Sequence, residues 1–168
     1  MFRIERGPLL IQTLAVHLAA RAFVETEFVT DQLGAEIAQV LGWKFSRVVT
    51  PLEDWPADGL THIWALGKLV ACALQEQPFV QFDGDVLLFK PLPEAFLRAR
   101  LFAQSTEPEA FYTSPDMRRG FAICGLPDGH PKYNAGLIGG RDVALVRAYA
   151  HASLELAQRF RGCDLNGT

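Results

Sequence analysis

Cysteine is scarce in this chain and poorly spaced for chemistry. Cys72, Cys124 and Cys163 are an odd number with no CxxC pair. That argues against a disulfide framework and against a cysteine zinc site, and it makes a reducing cytoplasm the expected location. An excess of positive charge is also missing: the formal net charge is -3 and the pI about 5.8. A nucleic-acid binder needs a basic face that this balance does not advertise, although one helix could carry a local basic patch. No apolar run reaches the ~18 residues of a membrane-spanning helix. There is no internal repeat and no low-complexity segment.

The N-terminus has the outline of a signal peptide, since Arg3 and Arg6 precede an apolar stretch from Leu9 to Ala22. Gln12, Thr13, His17 and Arg21 interrupt that stretch. Ile11, Leu14, Ala15 and Leu18 instead follow the i, i+3, i+4, i+7 spacing of an amphipathic helix. With 49% hydrophobic and 21% charged residues over 168 positions, the composition is that of one soluble globular domain rather than a disordered tail.

Strand and helix patterns alternate along the chain. After the first helix, a strand at Glu27 to Val29 leads through Thr30 and Asp31, suited to a helix cap, into a helix over about 32–41 that Gly42 stops. Phe45 to Thr50 reads as a strand, 62–75 as a helix and Phe79 to Phe82 as a strand, with Val86 to Phe89 extended behind it. A short helix at 94–99, a strand at 101–105, an irregular Gly- and Pro-bearing segment from Glu107 to Lys132, a strand at 133–138 and a helix at 142–160 complete the pattern. Continuous apolar strands such as FVQF and AGLI, in a βα rhythm, imply an α/β fold in three layers, a mostly parallel sheet with helices on both faces. Ligands of such folds bind beyond the carboxyl ends of the strands.

The segment FVQFDGDVLLFKPLP, Phe79 to Pro93, delivers an apolar strand to two aspartates, Asp83 and Asp85, separated by Gly84. Hard cations such as Mg²⁺ and Mn²⁺ take carboxylate oxygen and bind protein through one or two carboxylates while substrate phosphates fill the remaining positions. Gly84 is expected to let the chain turn sharply and a ligand approach.

Together with HIWALGKLVACALQ upstream and KYNAGLIGGRD downstream, this segment resembles the nucleotide-sugar-dependent glycosyltransferases of the GT-A fold, which is Rossmann-like. The resemblance covers roughly 26–160. It implies that the DxD residues Asp83 and Asp85 hold Mn²⁺ or Mg²⁺, and that Lys68 pairs with the acidic motif or the donor phosphates. It further implies that Gly84, Asn134, Ala135 and Gly136 line the site of a UDP- or GDP-sugar. The implied function is transfer of that sugar to an acceptor that the sequence does not identify, and no catalytic base or nucleophile is assigned. The family opens with a base-binding strand and continues beyond the last helix. Only Phe2 to Glu5 and RGCDLNGT stand at those places, so residues 1–168 are expected to be a single domain incomplete at both ends.

Other readings of the same residues stay open. Asp83 and Asp85 could end a strand in a solvated turn, Lys68 could be a solvated helix residue, and Asn134 a turn former. Trp64 reads as core, His62 as a helix start and His130 as a solvated loop residue. An apolar strand followed by DxDxV also resembles the first motif of haloacid-dehalogenase-type phosphohydrolases, in which the first aspartate is the nucleophile. Against it, two α/β units precede the motif, and Asp116, Asp128, Asp142 and Asp164 form no adjacent acidic pair. A third alternative is a truncated relative that binds nucleotide-sugar without catalysis.

Overall fold

The structure is a computed structural model, described here for residues 6–54, 65–107 and 132–159. His62, Trp64, His130 and nearly all of the segment between Glu107 and Lys132 lie outside the described residues. The elements are α1 (Arg6–Ala22), β1 (Glu27–Val29), α2 (Gln32–Val40), β2 (Arg47–Val49), α3 (Leu66–Leu74), β3 (Phe79–Phe82), α4 (Glu94–Arg98), β4 (Phe102–Glu107), β5 (Lys132–Gly140) and α5 (Val143–Arg159). Local chemistry sets several of these boundaries. Asp31 caps α2 by accepting from the Gly34 N–H at 2.7 Å, and Gly42, at φ 66°, ends it. After β3 the chain turns at Gly84 and Asp85, Val86 to Leu88 belong to no strand, and the chain bends at Phe89.

Strand direction departs from the sequence reading. β1 and β2 form a parallel pair, whereas β3, β5 and β4 form a second sheet in that order, with β5 antiparallel to both neighbours. The expected mostly parallel sheet is therefore not what the described strands form, and β3 stands at an edge of its three-stranded sheet. The physical reason is that FVQF and AGLI report burial on both faces, which an antiparallel strand covered by helices shares with a parallel one. The α/β class holds, as one small parallel sheet and one small antiparallel sheet with helices.

Helices α3 and α5 pack together over the β3–β5 sheet. Leu66 and Val70 of α3 meet Leu154 and Ala157 of α5, while Cys72, Ile138, Val146 and Ala150 form a second cluster with Phe79 at its margin. Phe82 points the other way and stacks on Phe23, just beyond α1, with ring centroids 6.0 Å apart. Burial on α1 falls on Ala15 and Ala19, leaving Ile11 and Leu14 exposed. Burial pushes the Cys72 thiol up to about 12, so it stays protonated at neutral pH and donates to Gln81 Oε1 at 2.8 Å. Because the thiolate is the nucleophile, Cys72 should resist iodoacetamide in the native protein and label only on unfolding, read by peptide mass spectrometry.

The end of β5 is held by close backbone approach. Gly140 has φ 157°, and a Cβ there would stand 2.1 Å from the Arg100 carbonyl oxygen. Gly140→Ala should therefore destabilise the fold by at least about 2 kcal/mol in chemical denaturation, through overpacking and backbone strain together.

Candidate functional site

The site is built from the alternation of β3. Phe79, Gln81 and Asp83 project in turn toward α3: Phe79 into the Cys72 cluster, Gln81 onto Cys72, and Asp83 onto Lys68, whose Nζ donates to Asp83 Oδ2 at 2.6 Å. Lys68 and Cys72 are an i, i+4 pair on one face of α3. Four residues of helix rise about 6 Å and two residues of strand about 6.6 Å, so an antiparallel helix and strand keep both contacts in step. The Lys68–Asp83 pair is half-buried, with side chains 20% and 23% exposed.

β5 brings the downstream motif to the same point. The Asp83 N–H donates to the Gly136 carbonyl at 2.9 Å, carrying the β3–β5 register one residue past Phe82 and Leu137. Asn134 is fixed at both ends of its amide: Oδ1 accepts from the Gly136 N–H at 2.7 Å and Nδ2 donates to Glu107 Oε1 at 2.5 Å. A Cβ on Gly136 would stand 2.6 Å from Gln104 Oε1, 2.8 Å from Asn134 Oδ1 and 3.8 Å from Asp83 Oδ2. The missing side chain is what lets polar ends from three strands converge there.

Gln104 and Glu107 were not singled out from the sequence. Glu107 reaches Asn134 through the register that sets Ser105 opposite Asn134 and Glu107 opposite Lys132. Gln104 sits at the β4–β5 irregularity between Ala103 and Ser105, and bulges of this kind re-aim a side chain. Pairing register decides both, and no local motif announces it.

Other expected site residues lie outside this set of contacts. Gly84 does not adopt a positive φ, so the turn does not require glycine on that account. The space a Cβ would take lies 3.2 Å from Gln12 Cγ of α1. Asp85 is exposed in the turn that the Val86 N–H closes onto the Asp83 carbonyl at 3.0 Å, and among the described residues its carboxylate has no partner. Ala135 alternates away from Asn134 and Gly136. It lines, with Phe96, Phe102, Tyr133 and Tyr149, an apolar cleft of about 680 Å³ whose lining includes neither Lys68, Asp83 nor Asn134.

Among the described residues no three His, Cys, Asp or Glu side chains gather as a metal site. Mg²⁺ and Mn²⁺ need fewer, since one or two carboxylates suffice when substrate phosphates supply the rest. In donor type the two carboxylates suit that demand: Asp85 is open to solvent, and Asp83 Oδ1 lies outside the bond to Lys68.

A double-mutant cycle on Lys68→Ala and Asp83→Ala should return a coupling of about 1–2 kcal/mol in urea denaturation, between exposed and fully buried pairs. A coupling near zero would mean that the contact contributes nothing to holding α3 on β3.

The model of a family of unknown function (DUF6734) matches residues 9–162. No curated protein and no solved structure matches. Because the match covers nearly the whole chain, the protein belongs to the family of unknown function DUF6734.

Proposed function

We propose that this chain is a metal-dependent glycosyltransferase domain that moves a sugar from a nucleotide-diphosphate donor, UDP- or GDP-linked, to an acceptor hydroxyl. In this reading its two sheets and covering helices belong to a three-layer, GT-A-like arrangement. The observation that carries the reading is convergence: Lys68 from α3, Asp83 from the end of β3, and Asn134 and Gly136 from β5 meet at one point. Those residues come from the three segments that resemble the family.

The chemistry follows from the charges. As the glycosidic bond to the donor breaks, negative charge grows on the departing diphosphate, and a cation beside it lowers the barrier. Asp85, with Asp83 Oδ1, would hold Mn²⁺ or Mg²⁺, which when bound supplies that Lewis-acid stabilisation. Lys68 orients Asp83 and offsets its charge. Asn134, its amide fixed by Glu107 and the Gly136 N–H, presents a set orientation to sugar hydroxyls.

Calorimetric titration with UDP and with GDP tests the proposal. Binding of one of them should require Mn²⁺, and Asp85→Asn should abolish that Mn²⁺-supported binding. Equal binding without metal would contradict it, as would hydrolysis of p-nitrophenyl phosphate that Asp83→Asn removes, the outcome expected of a haloacid-dehalogenase-type enzyme. Consumption of a donor sugar separates a transferase from a non-catalytic binder.

A further inference from the structure

We infer that Gln104 and Glu107 of β4 determine which sugar the site accepts, and that they select an uncharged, hydroxyl-bearing ring over one carrying a carboxylate. The inference rests on the glycosyltransferase reading and deepens it. Three polar ends, Gln104 Oε1, Asn134 Oδ1 and Asp83 Oδ2, surround the position of the absent Gly136 Cβ at 2.6, 2.8 and 3.8 Å. A fourth, Glu107 Oε1, is bonded to Asn134 Nδ2. Gln104 is exposed and Asp83, Glu107 and Asn134 half-buried, so the group lines a surface that a ligand can reach.

These four oxygens accept from ring hydroxyls and the Gln104 amide nitrogen adds a donor, which suits vicinal hydroxyls because each both donates and accepts. The charge balance narrows the choice further. Among the described residues, Asp83, Asp85 and Glu107 contribute three carboxylates to this group and Lys68, bonded to Asp83, one ammonium. A metal ion at Asp83 and Asp85 would be engaged by the donor diphosphate. Glu107 faces the ring, and a uronic or sialic carboxylate beside it meets like charge, which disfavours binding. Through its bond to Nδ2, Glu107 also holds the Asn134 amide in one orientation, so it is a positioning residue as well.

The test compares affinities, with Mn²⁺, for UDP, GDP and their hexose and uronic-acid conjugates. In the wild type, the hexose conjugate should bind more tightly than the bare nucleotide, and the uronate should not. Glu107→Ala and Gln104→Ala should each weaken hexose-conjugate binding by about tenfold while leaving bare-nucleotide binding unchanged. Glu107→Gln keeps an acceptor for Asn134 Nδ2, so it should recover hexose binding to within about threefold and also relax discrimination against the uronate. Unchanged hexose affinity in Glu107→Ala and Gln104→Ala, or unchanged selectivity in Glu107→Gln, would overturn the inference while metal-dependent nucleotide binding still stood. Failure of both bare nucleotides to bind the wild type would overturn the underlying reading and the inference with it.

Discussion

The antiparallel packing of α3 along β3 is the constraint on which the rest of the site depends. It is set by two side-chain contacts in register, Cys72 to Gln81 and Lys68 to Asp83. The first lies deep, where a protonated thiol meets an amide oxygen. The second lies at the open end, where an ammonium meets a carboxylate. Between them the helix is fixed in position and rotation relative to the strand, so the chain leaves β3 at Asp83 in a defined direction and turns at once. Any shift of α3 by one residue would take both polar groups from their partners, and a half-buried charge left alone is costly.

From Asp83 the arrangement spreads to β5. One backbone hydrogen bond, from the Asp83 N–H to the Gly136 carbonyl, joins the acidic turn to the strand that carries Asn134. Asn134 in turn is tied to Glu107 of β4. Helix α3 and the three strands thus meet through side chains with few remaining degrees of freedom, the preorganisation that ligand recognition by a small polar site requires. The apolar cleft on the Tyr133 and Ala135 side has a different character and shares none of these groups.

Much of this was legible in the sequence, and the parts that were not have a common cause. The bounds of β1 and β3 are those read from the sequence, β3 from its largely apolar run, and Lys68 bonds Asp83, the pairing that the resemblance implies. Direction of pairing was not legible, because FVQF and AGLI are buried on both faces whichever way their neighbours run. Gln104 and Glu107 were invisible for a related reason: their partners are chosen by cross-strand register and an irregularity, and neither leaves a local signature. The misplacement of Ala135 differs in kind. Period-two alternation already sets it on the face opposite Asn134 and Gly136, and treating NAG as one unit hid that signal.

On the proposed function, one ligand and one metal ion are gathered where α3, β3, β5 and β4 converge. Paramagnetic broadening by Mn²⁺ measures this most directly, using uniformly ¹⁵N-labelled protein with the nucleotide diphosphate present. Broadening should centre on the amides of Asp83, Gly84 and Asp85 and weaken with distance from them through Gly136 and Asn134, and Asp85→Asn should erase it. Broadening centred elsewhere on the chain, or equally strong in Asp85→Asn, would contradict the account.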